Sequence, residues 1–104
     1  MTQSTPLTLF VISDSVGQTA LQLAQAALAQ YPDLKPDIVR FPFIHTADKL
    51  TDVLSKAVPA ETIVVHTLAT KELADIAETY CQTNQIASFD MMSPYTKLIN
   101  AKPE

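Results

Sequence analysis

One glycine and one cysteine in 104 residues set the first limits on this chain. Glycine-rich phosphate loops are excluded, because G-x-x-x-x-G-K-[ST] needs two glycines and G-x-G-x-x-G needs three. Any anion held here is held by other means. With Cys81 alone, an internal disulfide is excluded. Basic residues are few, 7 against 11 acidic, for a net charge of −4. That balance disfavours nucleic acid as the main partner, since phosphate neutralisation needs a basic patch. No apolar run approaches the roughly 20 residues of a membrane span. The opening MTQSTP has no basic region ahead of its short apolar run, so it does not read as a signal peptide, and a cytoplasmic location is expected. His45 and His66 are the two histidines and form no H-x-x-x-H or Cys–His cluster, so no metal site is expected.

What is present is a foldable core. Hydrophobic residues make up 47% and charged residues 17%, which suits a single globular domain rather than a disordered chain. Apolar runs at residues 7–12 and 62–66 are nearly continuous, as strands buried on both faces are. A run at 37–43 carries Arg40 and Pro42 and belongs at a sheet edge, because proline cannot donate to a ladder. A short mixed run at 86–89 suits the other edge. Between them lie stripes at the helical period. Leu21, Ala24, Leu28 and Tyr31 form the first; Leu50, Val53, Leu54, Ala57 and Val58 the second; Leu73, Ile76, Ala77 and Tyr80 the third. Ser93-Pro94 reads as a helix start, with Tyr95, Leu98 and Ile99 beginning a fourth stripe.

This strand–helix alternation predicts an α/β, three-layer, Rossmann-like domain over residues 1–104. Its sheet is four-stranded and parallel, ordered 2-1-3-4, with helices on both faces. Ligands bind such sheets at the carboxyl ends of the strands, where the strand order reverses. Here that point lies between strands 1 and 3. Strand 1 delivers Ser13, Asp14 and Ser15, and strand 3 delivers His66 and Thr67. Strand 2 brings Phe43, His45 and Thr46, and strand 4 brings Asp90. Hydroxyls, an acid and an imidazole at this edge suit a phosphate group. The helix after Gly17 would aim its free N–H groups at the same spot. Plainer readings stand beside this one. Ser15 and Gln18 have the spacing of a capping box. Asp14 suits a solvated turn, and Gly17 a backbone angle. His66 suits a satisfied core histidine, His45 a surface position before the N-cap Thr46, and Cys81 a small core residue.

The segment ISDSVGQTA, Ile12 to Ala20, resembles the N-terminal motif of the regulatory proteins of pyruvate, phosphate dikinase and phosphoenolpyruvate synthase. Arg40-Phe41-Pro42-Phe43 is similar to that family's RFPF segment, and Val64-Val65-His66-Thr67-Leu68 to its VVYTL strand. The stretch Ile86 to Pro94, with Asp90 and Pro94, is similar to its IPVVDLLGP segment. Val16, Gln18 and His66 depart from the usual residues.

The resemblance implies a bifunctional serine/threonine kinase and phosphorylase. Such proteins phosphorylate a threonine of the dikinase or synthase with ADP as donor. They remove that phosphate with inorganic phosphate, releasing pyrophosphate. Their nucleotide-binding P-loop lies in a C-terminal half absent from this sequence. The chain is then expected to be an N-terminal domain that binds no cofactor itself and is inactive alone. Asp14 is the candidate catalytic residue. Ser13, Ser15, Gly17, Thr19, His66 and Thr67 are the candidates for binding phosphate or the partner. Expected partners are the dikinase or synthase and the missing kinase half, with homo-oligomerisation left open.

The alternative is a stand-alone phosphate-binding or protein-interaction module without catalysis. A receiver-like module fits poorly, because strand 1 ends in one acid rather than two and strand 3 ends in His66 rather than aspartate. A cysteine phosphatase loop is excluded, because Cys81 falls beside a helical stripe and has no arginine five or six residues on.

Overall fold

A computed structural model describes residues 7–33 and 35–92. Four strands, β1 (Thr8–Ser13), β2 (Asp37–Phe41), β3 (Thr62–Thr67) and β4 (Ala87–Asp90), alternate with three helices, α1 (Gln18–Leu28), α2 (Ala47–Leu54) and α3 (Lys71–Thr83). The sheet is wholly parallel and ordered β2-β1-β3-β4, as the alternation predicts. The two central strands are the two continuous apolar runs, and the proline-containing run forms an edge. The fourth helix expected from Ser93-Pro94 lies outside the described residues.

The register assigns each side chain a face. Leu9 pairs with Ile38 and Ile63, and Val11 with Arg40 and Val65. Those residues face α1, where Leu9, Val11 and Val65 pack with Ala20 and Ala24. The two alanines let that helix approach the sheet closely. Phe10, Ile12 and Val64 point the other way, into a larger core with Leu50, Val53, Leu54, Leu73, Ala77 and Cys81 from α2 and α3. Phe10 and Phe41 meet edge-to-face at 4.9 Å across the β1–β2 pair. Cys81 is fully buried there, and burial pushes its thiol pKa up.

The structure corrects three local expectations. The first stripe ends at Leu28, and Tyr31 lies past the helix and is exposed; Ala24 is buried as expected, joined by Ala20. Val58 likewise falls beyond α2 and is exposed. Strand β2 stops at Phe41 rather than Phe43, because Phe43 adopts a left-handed backbone with φ of 59° that no strand accommodates. Among the described residues, no helix is long and apolar enough to cross a membrane.

Candidate functional site at the carboxyl edge of the sheet

Ser13 ends β1 directly opposite Thr67, the last residue of β3. Its side chain is buried and gathers the neighbouring donors. Its oxygen accepts from the Ser15 N–H at 3.0 Å and from the Thr67 hydroxyl at 3.2 Å. Both lone pairs are then used, so the Ser13 proton is directed to the Ser15 oxygen, also 3.2 Å away. Asp14 ties this cluster to the next loop, as its Oδ2 accepts from the Ala69 N–H at 3.0 Å. The order reversal of the sheet therefore brings Ser13, Asp14, Ser15 and Thr67 together.

The end of β2 and the segment that leads to α2 hold the loop from the other side. Ile44 N–H donates to the Ser13 carbonyl and Phe43 N–H to the Ser15 carbonyl, both at 2.9 Å. His45 Nε2 lies 2.7 Å from the Asp14 carbonyl, and a guanidinium nitrogen of Arg40 lies 3.0 Å from that of Val16. A carbonyl only accepts, so the His45 Nε2 carries hydrogen. Four consecutive carbonyls, of residues 13–16, are thus bound by one neighbouring segment. Each trans peptide opposes its C=O and N–H, so the amides of residues 14–17 point away from those donors.

Helix α1 begins at once. Gly17 is its N-cap, with φ of 85° and no side-chain cap. This overturns the capping-box expectation for Ser15 and Gln18: Ser15 bonds to Ser13 instead, and Gln18 is already helical. A left-handed N-cap is where glycine's missing Cβ is needed. The first turn of α1 contains no acidic residue, so its N–H groups and the positive end of the helix dipole are not neutralised by a local side chain. Thr19 stands exposed on that turn.

His66 is placed differently. It pairs with Ile12, so its ring lies on the α2–α3 face and not with the Ser13 and Thr67 hydroxyls. It is buried, with Nδ1 accepting from the Leu68 N–H at 3.4 Å and lying 3.9 Å from Asp90 Oδ1. Asp90 also takes the Met92 N–H, at 2.8 Å. Burial lowers the His66 pKa, against the smaller opposing pull of Asp90 and Glu78. The neutral ring is the form this geometry holds.

The sequence brings His45 to this edge as a surface residue, and it is exposed there; its bond to the Asp14 carbonyl and any role for Arg40 at the site were not foreseen. Both residues reach the site through main-chain carbonyls. The available signal was an arginine inside an otherwise apolar strand. Thr46 does cap α2, accepting from the Lys49 N–H at 3.2 Å. Among the described residues, no group of three or more His, Cys, Asp or Glu gathers as a metal would require. An open, mainly apolar recess along α3, lined by Ile76, Thr79, Tyr80 and Thr83, lies toward the opposite end of that helix from the carboxyl edge.

The sequence profile of the kinase/pyrophosphorylase family matches residues 9–104. A protein of Latilactobacillus sakei subsp. sakei strain 23K, named as a pyruvate, phosphate dikinase regulatory protein, is 78% identical over 102 residues, covering 98% of this chain and 36% of its own length. Proteins of the same name from Lacticaseibacillus casei strain BL23 and Enterococcus faecalis strain V583 are 42% and 41% identical, over 90% and 85% of this chain and 33% and 32% of their own. The chain therefore spans about a third of the length of these relatives. On the profile match and these identities, the chain belongs to the kinase/pyrophosphorylase family.

Proposed function

We propose that this chain forms the N-terminal α/β part of a regulatory kinase and phosphorylase, and that the loop between β1 and α1 receives the phosphate or the phosphorylated threonine of its partner. The partner is pyruvate, phosphate dikinase or phosphoenolpyruvate synthase, and the work is done in the cytoplasm. In the forward direction a threonine hydroxyl attacks a phosphoryl group of ADP, giving phosphothreonine and AMP. In reverse, inorganic phosphate attacks phosphothreonine, giving threonine and pyrophosphate. The observation that carries this reading is the clamp on four consecutive carbonyls, which turns the Val16 and Gly17 amides and the uncapped start of α1 toward an anion, while the Ser15 amide stays on the Ser13 hydroxyl.

Each candidate then has a role. Asp14, held by the Ala69 amide, accepts the threonine proton or orients the attacking phosphate. Ser15 and Thr19 donate to phosphate oxygens, while Ser13 and Thr67 keep the loop in shape. Gly17 permits the turn into α1. His66 supports the end of β3 from the opposite face. The nucleotide is held by the remaining two thirds of the protein, because one glycine cannot build its cradle.

The test is a chimera that joins this chain to the C-terminal part of the Latilactobacillus sakei relative. ADP-dependent phosphothreonine on pyruvate, phosphate dikinase, and its phosphate-dependent removal as pyrophosphate, are the expected activities. Asp14→Asn should reduce both by about 100-fold or more, the usual worth of a positioned acid–base group. An Asp14→Asn chimera with full activity would remove Asp14 from the chemistry.

A further inference from the structure

Phe43 is the residue this fold explains least. It is a bulky aromatic in left-handed backbone, with φ of 59°. The other positive-φ residue among those described that is not glycine, Gln85, sits where α3 ends. There the Ile86 N–H reaches the Cys81 carbonyl and the Gln85 N–H that of Gln82, the Schellman pattern. Phe43 ends no helix. Its kink lets two successive amides, of Phe43 and Ile44, reach the Ser15 and Ser13 carbonyls. Glycine would serve that purpose with no steric conflict. The ring does not repay the conflict through packing, because the residue is 54% exposed.

A second large apolar side chain is exposed on the segment that the Phe43 amide holds. Val16 is 53% exposed and follows Ser15, whose carbonyl the Phe43 amide holds. Arg40 binds the Val16 carbonyl and brings a cationic guanidinium to that segment. Two exposed apolar side chains, a guanidinium and the start of α1 thus border one edge. A free phosphate ion would use the polar part and leave both apolar groups in water. A polypeptide bearing the phosphate would use all of it.

We propose that Phe43 and Val16 form the apolar half of a peptide-docking surface, which seats a hydrophobic side chain next to the phosphorylated hydroxyl residue of the partner polypeptide. This inference rests on the reading of the β1–α1 loop as the phosphate-receiving site. The ring selects for the neighbouring side chain, and the loop takes the phosphate. The exposed, strained ring is kept for that contact.

Two short phosphothreonine peptides test it, one with leucine and one with glycine immediately before the phosphothreonine. Binding to the 104-residue chain is followed by backbone amide shifts, for the natural sequence and for Phe43→Gly, with inorganic phosphate as the control ligand. The leucine peptide should bind about tenfold more tightly than the glycine peptide, as burial of part of one leucine allows. Phe43→Gly should abolish that preference, because glycine keeps the kink and the clamp amide but removes the ring. Equal binding of the two peptides, or a preference that survives Phe43→Gly, overturns the docking surface and leaves the phosphate site standing. Failure of both peptides and of phosphate to bind overturns the two together.

Discussion

Replacing Gly17 with alanine should destabilise the domain through backbone conformation rather than crowding. At φ of 85° an L-residue pays the left-handed penalty, about 1–2 kcal/mol. The added Cβ would meet the Ser13 Cβ at 3.4 Å, an ordinary contact that adds little. Alanine also loses less backbone entropy on folding, which offsets about 0.4–1 kcal/mol. The net loss is about 1 kcal/mol, or roughly 4–8 °C in Tm for a domain of this size. Asparagine tolerates the left-handed region better, so Gly17→Asn should lose less than half as much. Urea unfolding followed by far-UV circular dichroism reads both variants, and an unchanged slope shows that the transition itself is the same. Equal losses for alanine and asparagine would mean that space, not φ, governs the site. An alanine variant as stable as the natural chain would refute the left-handed cap.

Two further substitutions probe the surroundings of the loop. Ser13→Ala strips the partner from the Ser15 amide and the Thr67 hydroxyl, and should cost about 1–3 kcal/mol. Ser15→Ala removes the acceptor of the Ser13 hydroxyl at an exposed position where water replaces it, and should cost under about 0.5 kcal/mol in the same urea assay. His66 makes stability depend on pH. Its native pKa lies below the reference 6.5, so the unfolded chain binds the proton first. Stability is therefore full above about pH 6.5 and falls as pH drops from there toward the native pKa. The urea midpoint should decline as pH falls below about 6.5, and His66→Tyr should flatten that decline. An identical decline in the variant would assign the effect to other groups.

The fold was legible because its signals are local. Continuous apolar runs marked β1 and β3 as central, and Pro42 marked the β2 end as an edge. Crossover handedness then left one strand order. Ser13 and Thr67 were legible as strand ends at the order reversal, and the register sets them opposite each other. The contacts of Arg40 and His45 were not, because they reach main-chain carbonyls 24 and 31 residues away, which no local pattern records. The spacing of Ser15 and Gln18 mimicked a capping box, but the Ser13 hydroxyl competed for Ser15 and the helix began at Gln18. The left-handed turn at Phe43 was invisible, since phenylalanine carries no such preference. His66 shares a strand end with Thr67, yet the period of two sends its ring to the other face.

The most direct measurement is a titration of the 104-residue chain with inorganic phosphate, followed by backbone amide NMR shifts. The account predicts saturable shifts concentrated at residues 14–20 and at Ala69, whose amide shares the Asp14 carboxylate. No shift at millimolar phosphate, or shifts confined to exposed lysines such as Lys56 and Lys71, would contradict a phosphate-receiving loop between β1 and α1.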